Sequence, residues 1–292
     1  MPKKSDKLNS GDEYQPLTLN ITSDLNQQFT KALDCTNSRY ENYVHPSIFF
    51  SFCSITQSPS FVLDKNVNAV AAKFENEFIK TAKLERKYTI YWKVADVYEK
   101  RSRLYQICDV TVLDQDGDEV VKRKINNTFV GGEYLEKRVR WEKETGYRRA
   151  LQINEFPAQG YEIVSGIKKI SMQKLRWFSG GVPGSGWPAR NIHTDREISI
   201  RSGIGRAVAS GFMIEGYLNE LIVDFIGEEW LNFGRTKMIA IDMVGDGDEI
   251  TAKAVLKNNG VRTKLGEINF EIWGENQYGN RIVIGSANSK LQ

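Results

Sequence analysis

The sequence predicts an α+β chain built as two similar halves, each a helix followed by a long antiparallel sheet. Two segments, Lys73 to Val130 and Gly234 to Leu291, repeat one pattern of β-rich alternating runs broken by polar turns, "DQDGDE" in the first and "ENQYGNR" in the second. A helical apolar pattern precedes the second segment, and a helix-opening His-Pro pair precedes the first.

Taken in order, residues 1–20 are polar and are expected as a disordered start. "HPSIFFSFCSI" opens with His45-Pro46, where proline suits the first turn of a helix and the histidine has a capping and packing role. In the first sheet Tyr88, Ile90, Trp92 and Val94 alternate, and Ile107, Val110 and Val112 follow the charged "YEKRSR" connection. Residues 136–160 lie in a charged run, Gly131 to Gly160, expected as a solvated linker; a basic landing place for a phosphorylated carrier is the sharper alternative. The halves are thus residues 21–135 and 161–292.

In the second half "GFMIEGYLNELIVDFIGEEW" places Met213, Leu218, Leu221, Ile222 and Phe225 near helical spacing, with Gly227 as the stop. The sheet then takes Ile250, Ala252 and Ala254, "LGEINFEIW" and "RIVIGSA". "VGDGDEI" is a turn before a strand, since it lacks the alternating ligands and final Glu of a calcium loop. The loop Ser179 to Asn191 is glycine-rich without the Lys-Ser/Thr ending of a phosphate loop, so it is expected as a pocket rim, with Trp187 lining the pocket or packing the loop.

Composition narrows the function classes. The chain has 40 basic and 37 acidic residues, a net charge of +3 that gives no concentrated basic face for nucleic acid. Three widely spaced cysteines fit neither a disulfide framework nor a metal site, and no cofactor is implied. No apolar run approaches the roughly 18 residues of a membrane span, and the start lacks a secretory h-region, so a cytoplasmic protein is expected.

The segment Asn191 to Leu218, "NIHTDREISIRSGIGRAVASGFMIEGYL", together with "ENQYGNRIVIGSA", "VHPSIFF" and "FVGGEY", resembles the MaoC-like dehydratases and hydratases. The resemblance covers roughly residues 40–292. It implies a double hotdog, two helix-wrapped antiparallel sheets forming a pseudo-dimer, with a non-catalytic N-terminal unit walling an acyl tunnel. The family's His-x-Asp corresponds to His193-Thr194-Asp195, and its small-residue, His or Ser, Gly turn to Ala209-Ser210-Gly211.

What that implies chemically is hydration of an enoyl thioester, linked to CoA or a carrier protein. His193, one of two histidines, is the candidate base, because a neutral imidazole takes a proton from water near pH 7. The Gly211 backbone N–H, at a helix start, is the candidate oxyanion donor, flanked by Ser210. Asn191, Arg190 and Trp187 are candidate substrate-binding residues. Asp195 is either an orienting acid or the N-terminal charge of the helix that follows it.

One departure matters: the family's acid, five positions before the histidine, is Pro188 here. Same-fold chemistry of another kind (thioesterase, isomerase or a tailoring reaction) and a non-catalytic acyl-binding protein therefore stand as alternatives. Two units in one chain already make the usual pair, so a monomer or a homodimer is expected.

Overall fold

The computed structural model describes residues 8–63, 67–130, 159–181, 189–257 and 266–290. In the first half these form strand β1 (Glu13–Ile21), helix α1 (Ser23–Ala32), a 3-10 turn (Ser38–Glu41), helix α2 (Ser47–Phe52), a second 3-10 turn (Ile55–Gln57), and strands β2 (Asn68–Phe78), β3 (Arg86–Lys100), β4 (Arg103–Asp114) and β5 (Glu119–Val130). The second half contributes β6 (Glu162–Val164), β7 (Lys168–Lys169), α3 (Met172–Ser179), α4 (Arg196–Arg201), α5 (Gly211–Ile226), α6 (Trp230–Phe233), β8 (Arg235–Ala240), β9 (Glu249–Leu256), β10 (Glu267–Asn276) and β11 (Arg281–Lys290).

The strands join one antiparallel sheet in the order β1-β3-β4-β5-β2-β8-β11-β10-β9-β6, with β7 also on β9. The order reads the same from either edge, so a pseudo-two-fold axis runs between β2 and β8, where Lys73 to Glu77 pair with Arg235 to Ile239. The two repeats read from sequence are related by that axis.

Several strand expectations hold and one is corrected. Tyr88, Ile90, Trp92 and Val94 all face the core. Ile107 does not share a face with Val110 and Val112; Cys108 does, as the two-residue period requires, and a register shift lies opposite, between Val94 and Asp96. The charged "YEKRSR" is mostly strand. Its turn is only Arg101 and Ser102, both with positive φ (51° and 59°), the geometry whose twist matches a two-residue hairpin.

The disordered start expected over residues 1–20 is overturned from Glu13 onward. Leu17, Leu19 and Ile21 alternate and bury one face of β1 against β3, and Pro16 sits at a register shift on this edge strand, where no ladder donor is needed. The helix after Pro46 does form, but α2 spans only six residues before Ser54 turns extended. The longer helix of this half is α1, capped by Thr22 and burying Leu25, Phe29 and Ala32.

Helix α5 is buried on every side from Phe212 to Val223, and its expected stop is Gly227 at φ 96°. Two glycines permit its close contacts. A Cβ on Gly216 would stand 3.0 Å from Leu33 and 3.3 Å from Ser47, and one on Gly274 of β10 would come within 2.8 Å of Ile214. The halves are also bolted by charge: Arg123 of β5 donates from Nη1 and Nη2 to the Glu215 carboxylate of α5, 3.1 and 3.0 Å, with both side chains fully buried. Asn76 donates to the same carboxylate and to Thr236, and the guanidinium lies over the Phe50 and Phe212 rings. The charged run expected as a linker falls almost wholly outside the described residues.

Candidate active site

A cavity of about 100 Å³ opens between the halves at the N-terminus of α5. The second half lines it with His193, Val208 to Phe212, and the chain leaving β8; the first half lines it with Ser51, Ser54, Thr56, Gln57, Ala69 to Ala71 and Asn127.

His193 is held by the backbone that leads into α5. Its Nδ1 lies 2.8 Å from the Val208 carbonyl oxygen, and since a carbonyl only accepts, Nδ1 carries the proton and Nε2 is left as the basic nitrogen. Burial pushes its pKa below the ordinary value, against the opposing effect of that carbonyl, so the ring is a neutral base at pH 7.

At the head of α5, Ser210 is the N-cap: its Oγ accepts from the Phe212 N–H at 3.3 Å, while its own φ and ψ (−62°, 140°) are extended. Among the described residues nothing accepts the Gly211 N–H, one of the orphan donors that a helix start presents. His193 and this N–H line the same cavity.

The pseudo-two-fold axis sets this region against its counterpart in the first half. Val44 N–H donates to Ala82 O as Ala209 N–H donates to Val244 O; Tyr43 bridges Lys83 as Val208 bridges Gly245. His45 Nδ1 accepts from the Ser47 N–H as Ser210 Oγ accepts from the Phe212 N–H. His45 thus corresponds to Ser210, and Pro46, which has no N–H, to Gly211. The related space, between Val44, Pro46, Phe49, Phe78, Val121 and Leu231, is shrunk to about 10 Å³. His45 is a buried cap, as expected.

The remaining candidates fall mostly outside the cavity. Asn191 is a loop brace: its Oδ1 accepts from the His193 N–H at 2.9 Å and its Nδ2 donates to Ser179 O at 2.7 Å. Both ends of the amide bond to backbone, and Asn191 is not among the described residues that line the cavity. Arg190 is 69% exposed and pairs with Asp195, so it too is removed from the pocket wall. Asp195 is the N-cap of α4, accepting from Glu197 and Ile198, and Arg190 beside it holds its carboxyl below the usual range. Its orienting-acid reading gives way to the helix-charge reading. Trp187 and Pro188 lie outside the described residues.

The resemblance implied a first-half wall but not its residues, Ser51, Ser54, Thr56, Gln57 and Asn127 among them, which approach His193 only through the pseudo-dimer packing. Sequence reasoning missed Asp242, the carboxylate that the described lining offers; it is exposed at the cavity mouth, and its Oδ1 accepts from the Met243 N–H at 2.7 Å. Among the described residues no three His, Cys, Asp or Glu side chains stand close enough to hold a metal, and no helix is long and apolar enough to cross a membrane.

No family model and no curated protein sequence matches the chain. Solved structures do. A MaoC-like dehydratase superposes with a TM-score of 0.73 at 13% identity, covering 97% of this chain and 98% of that one. A Mycobacterium tuberculosis protein described as having a double hotdog fold gives 0.62 at 9% identity, covering 97% and 96%. A Lactobacillus plantarum structure described as an oleoyl thioesterase gives 0.53 at 11% identity, covering 97% of both chains. The chain has the double-hotdog fold that these proteins share.

Proposed function

We propose that the protein is a hydro-lyase that adds water to, or removes it from, an acyl thioester linked to CoA or a carrier protein. The observation that carries this reading is the fixed tautomer of His193: a base at Nε2, in the same cavity as the unpartnered Gly211 N–H at the head of α5. In the hydration direction Nε2 takes a proton from water as the water oxygen bonds to the β-carbon. The double-bond electrons move onto the thioester oxygen, which Gly211 N–H stabilises, and the imidazolium returns its proton to the α-carbon. Oriented donors in a site shielded from water typically contribute about 10²–10³ in rate.

One residue performs both proton transfers in this scheme, which is why an acid at position 188 is dispensable. A thioesterase is the second reading, favoured by the same absent acid and by the likeness to a protein described as an oleoyl thioesterase. One chain supplies both units of the site, so a monomer suffices and a homodimer is compatible. Three free thiols, Cys35, Cys53 and Cys108, accord with work in the cytoplasm.

The test is a panel of trans-2-enoyl-CoA and 3-hydroxyacyl-CoA esters, with enoyl absorbance and free thiol followed together. Interconversion that His193→Ala lowers by about 10²–10⁴ supports the hydro-lyase. Thiol release supports the thioesterase, and calorimetric binding without either signal supports a non-catalytic acyl-binding protein. Full activity in His193→Ala sinks the assignment of the base.

A further inference from the structure

Resting on the hydro-lyase reading above, we infer that Asp248 is a positioning residue for that chemistry. From outside the cavity, its carboxylate fixes the turn against which the Val208 carbonyl, and with it the His193 ring, is held. His193 keeps its proton on Nδ1 only while Val208 O stays in place. Val208 belongs to a short run, Ala207 to Ala209, laid on the turn that leads into β9: Ala209 N–H donates to Val244 O at 2.8 Å, and Val208 bridges Gly245. The two runs approach so closely that a Cβ on Gly245 would stand 2.2 Å from Ala207 O.

Asp248 ties both sides of that contact. It is buried, and its Oδ2 accepts from the Gly245 N–H at 2.9 Å and from Nη2 of Arg206, the residue just before Ala207. Its Oδ1 accepts from Gln277 Nε2 at 3.0 Å, in the turn between β10 and β11. A carboxylate gripping a guanidinium makes a shorter and stronger bond than a neutral acceptor does. Asp248 is not among the described residues that line the cavity, so it acts on the site through Val208.

The fold itself needs no acid at this place, as the first half demonstrates. The same turn recurs there: Glu85 N–H donates to Ile21 O as Gly247 N–H donates to Ile170 O, and Glu85 and Gly247 both have positive φ, 58° and 89°. Asp248 therefore corresponds to Arg86, which pairs with Asp116, and Gly245 to Lys83, whose N–H is received by the Tyr88 hydroxyl at 2.8 Å. A neutral acceptor suffices where the histidine is a buried cap. The carboxylate and its Arg206 arm stand on the side that carries His193.

The deciding experiment is NMR of the full-length protein with its histidines labelled at both ring nitrogens, run beside kinetics on enoyl-CoA esters. The two histidines report separately: His45 Nδ1 accepts from the Ser47 N–H, which leaves its proton on Nε2, the reverse of His193. Asp248→Ala is expected to lower kcat by ~10²-fold with KM held within ~3-fold, about the loss that a misplacement near ~1 Å brings. It should also turn the single Nδ1-protonated signal of His193 into a mixture of tautomers while His45 stays as it was. Arg206→Gln, at a half-exposed side chain, should do the same more weakly, by ~10-fold, and decides the question if the alanine variant does not fold.

A native His193 tautomer in the folded variants overturns the inference whatever becomes of kcat, and so does a mixed tautomer with kcat unchanged. If the native protein turns over no ester, the hydro-lyase reading fails by itself, and the tautomer signal still decides whether Asp248 holds His193.

Discussion

Pro46 and Gly211 occupy equivalent places at the starts of α2 and α5, fixed by matching hydrogen bonds on both sides of the pseudo-two-fold axis. The two residues differ in the one group the proposed chemistry needs. Gly211 keeps a backbone N–H at its helix start, and proline cannot have one. The proposed site is thus one-sided in the backbone as well as in the smaller space near Pro46.

This equivalence yields a paired prediction. Proline at position 211 is sterically acceptable, because Pro46 already sits there in the sister unit and Ser210 has the extended backbone that a residue before proline requires. Gly211→Pro is therefore expected to fold and to lose about 10²–10³ in kcat. Gly211→Ala keeps the N–H, and its Cβ meets the Phe74 ring at an ordinary 3.6 Å, so most of the activity should remain. Equal losses in the two variants would remove Gly211 N–H from the mechanism.

The parts legible in sequence were those whose signal is local. The apolar spacing of α5 and its Gly227 stop, the strand alternation around Trp92, and the cap-then-glycine turn at Ser210 each lie within a few residues. The wall from Ser51 to Gln57 was illegible, because it meets His193 only when the halves pack, and a polar run after a short helix carries no local mark of a pocket. Strand β1 was hidden by its polar neighbours although Leu17, Leu19 and Ile21 alternate; the helix N-terminal reading of Asp195 was legible from the segment after it, whereas its pairing with Arg190 was not.

The pH profile tests the tautomer of His193. Its folded pKa lies below the ordinary histidine value of about 6.5, chiefly through burial, and the base form is the active one. The acid limb of kcat/KM for hydration should therefore fall below pH 6.5, with activity full above it and lost as pH drops through the lowered pKa. Asp242→Asn should leave that limb in place, since the exposed carboxylate is not the base. A limb that moves in Asp242→Asn would transfer the role to Asp242.

The other histidine makes stability depend on pH. Burial, with the Lys168 charge adding to it, pushes His45 down to about 3, so it stays neutral in the folded chain while the unfolded chain protonates it below about 6.5. The unfolded state then holds the extra proton. His45 costs nothing above pH 6.5, and stability falls by up to about 1.4 kcal/mol per pH unit as pH drops from there toward 3. His45→Ser, which copies the Ser210 cap, should flatten the dependence of urea-unfolding free energy between pH 6.5 and pH 5. An unchanged slope would mean that the histidine is already charged in the fold.

The Arg123 and Glu215 pair offers a final prediction, about the bolt between halves. Both charges are fully buried, and burial works to raise the Glu215 pKa while Arg123 and Asn76 work against it. Removing one partner strands the other charge away from water, so Glu215→Leu should cost about 3–5 kcal/mol. Removing both at once strands no charge and takes from the buried Asn76 amide its bonds to the pair, leaving its bond to Thr236. Arg123→Met combined with Glu215→Leu should therefore be more stable than Glu215→Leu alone, even though it carries an additional core substitution, because apolar side chains of similar volume can replace a buried ion pair at little cost. Thermal unfolding of the native protein, the single variant and the double variant measures this directly. A double variant that melts below the single one would show that Arg123 holds the sheet to α5 by its packing over Phe50 and Phe212 rather than by its charge.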